Sequence, residues 1–84
     1  MKKLRIYQIT EEQFKNTEYR PLDAEISTLE TEDEWNYSDM IDDTGENAIC
    51  DLVHECSDLY VWKVTTFDTN ETLYIVELKQ GAAA

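Results

Sequence analysis

The side chains with chemistry to offer are overwhelmingly carboxylates, and they are gathered in one stretch. Between Leu22 and Asp58 stand Asp23, Glu25, Glu30, Glu32, Asp33, Glu34, Asp39, Asp42, Asp43, Glu46, Asp51, Glu55 and Asp58, with one histidine and no lysine or arginine. The flanking segments are close to neutral, so this block carries essentially all of the formal net charge of −12. Paired carboxylates can work as general acid and base, but only in a cleft that separates their pKa values. A chain of 84 residues has little material for a deep cleft. One histidine supports no Ser-His-Asp or Cys-His arrangement with a helper. Gly45 and Gly81, the only glycines, cannot build a glycine-rich phosphate loop. The expectation is a protein that is not an enzyme and needs no cofactor.

Metal chemistry has two places to arise. Asp39, Asp42, Asp43 and Glu46 cluster around Gly45, but they lack the alternating acids, central glycine and distal Glu of a calcium loop. Cys50, His54 and Cys56 include soft ligands suited to zinc. On a helix, Cys50 and His54 share a face and Cys56 points well away, at about 100° per residue. The expected arrangement is a core Cys56 and a surface Cys50–His54 pair, with no metal site. The same helical geometry argues against a Cys50–Cys56 disulfide.

What remains for the carboxylates is recognition. A charge of −12 repels DNA, RNA and anionic lipid and favours basic partners, so no direct nucleic-acid binding and no membrane contact are expected. A merely soluble surface mixes both signs, and like charges at i, i+4 on a helix destabilise it by a few tenths of a kcal/mol. Asp51 and Glu55 have that spacing, as do Asp39 and Asp43, and the block also holds Trp35, Tyr37 and Met40, residue types common at interfaces. DNA carries roughly one negative charge per ~1.7 Å of axis, matched by the Lys and Arg of its binding proteins. Carboxylates fixed on folded elements offer such a site a similar field. The leading expectation is a non-enzymatic nucleic-acid (DNA) mimic, an inhibitor that occupies the basic site of a nucleic-acid-binding protein. The predicted contacts are Glu30, Glu32, Asp33, Glu34, Asp39, Asp42, Asp43, Glu46, Asp51, Glu55 and Asp58. Phage or mobile-element inhibitors of restriction and CRISPR nucleases supply the analogy for this role, and no particular residue carries it. The alternative is a small adaptor or regulatory subunit that binds a basic protein or homodimerises through its sheet, so monomer and homodimer both stay open.

The elements that position these residues are legible in part. Lys3–Ile9 reads as a strand. Thr10 and Gln13 form a capping box that opens a helix from Glu11 to about Thr17, with Ile9 and Phe14 as a hydrophobic staple. Pro21 ends that region, and residues 22–29 read as extended or irregular. Thr31 and Glu34 form a second capping box, predicting a helix from Glu32 to about Ile41. Asp43 and Glu46 predict a third helix through Cys56, with Ile49, Leu52, Val53 and Cys56 as its buried stripe. Leu59–Lys79 reads as a hairpin. A three-residue loop, Thr69–Glu71, sorts its side chains best: Tyr60, Trp62, Val64 and Thr66 share a face with Tyr74, Val76 and Leu78, Lys63 lies opposite Glu77, and Asn70 suits positive φ. Val61, Phe67, Leu73 and Ile75 fall on the other face or at its rim, where an uncovered surface would favour a homodimer.

Together these elements predict one small α+β domain over residues 1–80. Its three-stranded antiparallel sheet would be the N-terminal strand plus the C-terminal hairpin, with two or three short helices on one face. No stretch is apolar and long enough to span a bilayer, and Gln8, Thr10, Glu11 and Glu12 interrupt any signal-peptide core, so a cytoplasmic chain with reduced cysteines is expected. Gly-Ala-Ala-Ala at residues 81–84 reads as a cloning scar.

Overall fold

The structure is a computed structural model and describes residues 2–44 and 47–79. It holds five strands and two short helices: β1 (Lys2–Ile9), α1 (Glu11–Lys15), β2 (Ser27–Thr31), α2 (Tyr37–Thr44), β3 (Ala48–Glu55), β4 (Leu59–Thr66) and β5 (Glu71–Leu78). All strand pairs are antiparallel, in the order β2-β1-β5-β4-β3. The expected three-stranded sheet with two or three helices is therefore replaced by a five-stranded sheet in which little of the chain is helical. The helices do not share a face either. Phe14 of α1 packs on one side of the sheet and Tyr37 of α2 on the other.

The first side, face A, is the deeper core. Tyr7, Ile9, Leu59, Val61, Tyr74, Val76 and Leu78 are buried there beneath Phe14, Tyr19 and Ala24. The Thr10–Gln13 box forms as expected, with both reciprocal bonds at 2.9–3.0 Å. It aims Phe14 onto Tyr74, the rings stacked at 4.4 Å. The helix stops at Lys15, and Thr17 takes the left-handed conformation at φ 56°. Residues 19–24 then run back over face A, fastened by the Tyr7 hydroxyl, which donates to the Tyr19 carbonyl at 2.7 Å.

Face B holds Trp62, Val64 and Ile75, packed with Ile6, Tyr37, Ala48, Cys50, Tyr60 and Leu73. Because both faces are covered, alternation of apolar and polar residues does not fix the hairpin register. The observed pairing places Thr66 opposite Glu71 and Trp62 opposite Ile75. That leaves a four-residue loop, 67–70, where three residues were expected. Asn70 does adopt positive φ, 54°. Lys63 faces Tyr74 rather than Glu77, and Glu77 turns inward beside Trp62. Val61 and Ile75, expected together on the second face or its rim, are both buried, Val61 on face A and Ile75 on face B.

The third helix is a strand. β3 pairs with β4 from Ala48–Thr66 to Glu55–Tyr60, with a bulge between Leu52 and His54. Three of the four residues of its expected buried stripe are exposed, at 48% for Ile49, 46% for Leu52 and 38% for Val53. The tight turn after it, where Cys56 N–H donates to the Leu59 carbonyl at 3.0 Å, makes β3 and β4 a hairpin. A short apolar run fits both periods, and here the free edge of β4 supplies a ladder of hydrogen bonds that local helix spacing cannot match.

Candidate functional site: an acidic strap across the sheet

Strand order forces a long crossover. β2 and β3 lie at opposite edges of the sheet, so the chain between them must traverse its full width. The contacts trace that path. The Lys2 ammonium on β1 donates to the Trp35 carbonyl at 2.9 Å. Tyr37 N–H donates to Glu77 Oε1 on β5 at 2.9 Å. Ser38 hydrogen-bonds the Cys50 thiol on β3. The segment is a strap laid over face B.

The strap's helix begins later than the sequence suggests. Thr31 is buried and paired with Lys2 in the β2–β1 ladder, so it cannot cap. The cap is Asn36, which exchanges reciprocal bonds with Asp39: Asp39 N–H to Asn36 Oδ1 at 3.0 Å and Asn36 N–H to Asp39 Oδ2 at 2.9 Å. Glu32, Asp33 and Glu34, expected in a first helical turn, instead sit in the approach to α2, where Trp35 N–H closes a turn on the Glu32 carbonyl.

Glu77 anchors this arrangement. It is 2% exposed and accepts from both Trp62 Nε1, at 3.0 Å, and Tyr37 N–H. A buried indole N–H needs an acceptor, and the first amides of a helix lack intrahelical partners. One carboxylate oxygen serves both and pins the start of α2 to the middle of the sheet.

Outside the anchor, the strap is acidic. Glu32, Asp33, Glu34, Asp39, Asp42 and Asp43 are all exposed. Asp39, Asp42 and Asp43 lie at i, i+3 and i+4, on one face of α2, and with Trp35 they line a shallow depression of about 310 Å³. The last turn of α2 contains no basic residue. Asp42 and Asp43 stand there against the negative end of the helix dipole, which favours cations.

The other predicted contacts are placed differently. Glu30 is exposed on β2, opposite Lys3. Asp51 on β3 is in register with Lys63. Glu55 pairs with Lys79 at 2.8 Å, and Lys79 also lies over the Tyr60 ring at 4.7 Å. Asp58 pairs with Arg20 at 2.8 Å and accepts from Cys56 Sγ at 2.9 Å. Asp51 and Glu55 do not form the like-charge helical pair expected, since in strand register they point to opposite faces. Glu46 lies outside the described residues. The structure thus gathers the six strap carboxylates and separates Glu55 and Asp58 from them by ion pairs with bases from outside the block.

The cysteines follow the sheet. Cys50 faces the strap and its thiol pKa is pushed up to about 11, chiefly by burial. His54 points to face A and stacks on Tyr19 at 4.4 Å, so the expected surface pairing of Cys50 with His54 does not form. Cys56 is half-buried against the face A core, as expected. Among the described residues no three His, Cys, Asp or Glu side chains converge as a metal site. No helix of the described residues is long and apolar enough to cross a membrane. Sequence reasoning missed Glu77 as the anchor. Its signal was present in a lone carboxylate amid the apolar run from Leu73 to Leu78.

Comparison of the chain with protein-family models, with curated proteins and with solved structures returned no match.

Proposed function

We propose that this protein is a non-enzymatic inhibitor that lays its acidic strap in the basic, nucleic-acid-binding groove of a target protein in the cytoplasm. The observation that carries this reading is the strap itself, six exposed carboxylates on a segment that crosses all five strands. Four interstrand steps of about 4.8 Å give a span of roughly 19 Å. Six carboxylates over that span average one per ~3 Å, close to the ~3.4 Å per phosphate of a single DNA strand.

Rigidity supports the same reading. The Glu77 anchor, the Asn36–Asp39 cap and the Lys2 contact fix the strap's backbone, so its charges are presented without the ordering entropy a flexible acidic tail would lose. Trp35 among Asp39, Asp42 and Asp43 adds the aromatic anchor typical of binding hot spots. The narrowed contact set is Glu32, Asp33, Glu34, Trp35, Asp39, Asp42 and Asp43. Defence nucleases of phage hosts are one class of target with such grooves.

The test is affinity capture of the partner from cell lysate, followed by competition. A target released by DNA or RNA in proportion to nucleic-acid concentration supports the proposal. A target that holds nucleic acid and this protein together makes it an adaptor for a basic surface instead.

A further inference from the structure

The strap does not use the outer edge of β3. Proteins commonly blunt such edges with short strands, lysine, proline or bulges. β2, the opposite edge, is short and carries exposed Ser27, Thr28 and Glu30. β3 runs for eight residues without Lys, Arg or Pro, and its bulge comes only after Leu52. Residues 48–52 are therefore a regular, open run.

Ladder alternation identifies its free groups. Phe67 N–H donates to the Asn47 carbonyl at 2.9 Å, so Asn47, Ile49 and Asp51 direct their backbone groups towards β4. In an antiparallel ladder the intervening residues point the other way. Ala48, Cys50 and Leu52 thus offer N–H and C=O outward, with β4 the sole strand neighbour of β3 among the described residues. Beside them lie exposed Ile49, Leu52 and Val53.

We infer that the β3 edge takes up an extended basic segment of a partner as a sixth strand. Charge decides the occupant. β3 bears Asp51 on face A, and the neighbouring α2 bears Asp42 and Asp43, while Glu55 is already paired with Lys79. A second copy would bring the same carboxylates together between two chains of net charge −12, whereas a lysine-bearing strand is attracted. Strand geometry sets its pattern. Side chains on face A meet Ile49 and Asp51 and alternate with those on face B, which meet Ala48, Cys50 and Leu52. The segment therefore alternates lysine or arginine with aliphatic residues, held by main-chain bonds and sorted by alternate side chains. This edge adjoins the strap's helix but takes its ligand through β3 backbone groups, so it does not depend on the decoy reading.

The test uses the whole protein and a short capped peptide alternating lysine and valine. A peptide alternating lysine and proline has the same charge but lacks the proline N–H groups a ladder needs. Amide exchange at Ala48, Cys50 and Leu52 should slow by about tenfold or more with the first peptide and stay unchanged with the second. Leu52→Pro removes an outward N–H without touching the β4 ladder and should weaken the lysine–valine peptide by about tenfold. Asp51→Lys keeps every backbone group and should shift preference to a glutamate–valine peptide. Equal effects of the two lysine peptides, unchanged exchange at β3, or a free protein that sediments as a dimer through this edge would each overturn the inference.

Discussion

Glu77 is the residue on which the strap's position turns. Removing its side chain takes the acceptor from the buried Trp62 Nε1 and from the half-buried Tyr37 amide. At about 1–3 kcal/mol for each unsatisfied group, Glu77→Ala should lose about 3 kcal/mol or more in denaturant unfolding. Glu77→Gln keeps an acceptor oxygen and should lose only about 1 kcal/mol. Equal losses would show that volume, not the acceptor, matters. Titration gives a second prediction. The Asp58 carboxyl is held below its ordinary 3.8, first by the Cys56 thiol and further by Arg20, against an opposing effect of burial. Its contribution is present above pH 3.8 and is lost as pH falls through the lowered value. The stability gap between wild type and Asp58→Asn should therefore shrink below about pH 4. On the alkaline side, Lys79 is raised above 10.5 by its bond to Glu55, and Tyr7 is raised above 10.0 by burial. Both contributions are fully present below those ordinary values and are lost as pH rises through the raised ones, and Tyr7→Phe should flatten part of that alkaline loss.

At the scale of elements, α2 is at odds with its own electrostatics. Asp42 and Asp43 each face Asp39, at i+3 and i+4, and stand against the helix C-terminus, so Asp42→Lys and Asp43→Lys should each stabilise the protein by a few tenths of a kcal/mol. The same changes should slow association with a basic partner. Calorimetric melting and binding kinetics on one set of variants check both, and a substitution that stabilises without slowing binding would remove α2 from the interface. The sequence made β1 and the start of α1 legible because Thr10, Gln13 and Phe14 form a self-contained local code. It misled at β3, where Ile49, Leu52, Val53 and Cys56 have helical spacing but β4 needs a ladder partner. It misled at Thr31, whose capping pattern lost to pairing with Lys2. Both errors come from long-range pairing, which no local window contains. The exposure of Glu32, Asp39 and Asp42 was legible nonetheless, since it does not depend on where the helix begins.

The whole molecule carries −12 on a small frame and should feel its own repulsion. Salt screens such charge, with a Debye length near 10 Å at 0.1 M, so melting temperature should rise as sodium chloride increases from about 10 to 200 mM. A flat or falling trend would mean that ion pairs such as Lys79–Glu55 and Arg20–Asp58 outweigh the repulsion. Under the proposed function, the same charge should steer the protein to a basic groove and make the encounter salt-sensitive. Most direct is displacement of DNA or RNA from the captured target by wild type and by a variant with Glu32→Gln, Glu34→Gln, Asp39→Asn, Asp42→Asn and Asp43→Asn together. Wild type should displace the nucleic acid fully, and the variant, its Glu77 anchor intact, should need at least about a hundredfold more protein. Displacement by the variant at wild-type concentrations would show that the strap is not the surface that binds.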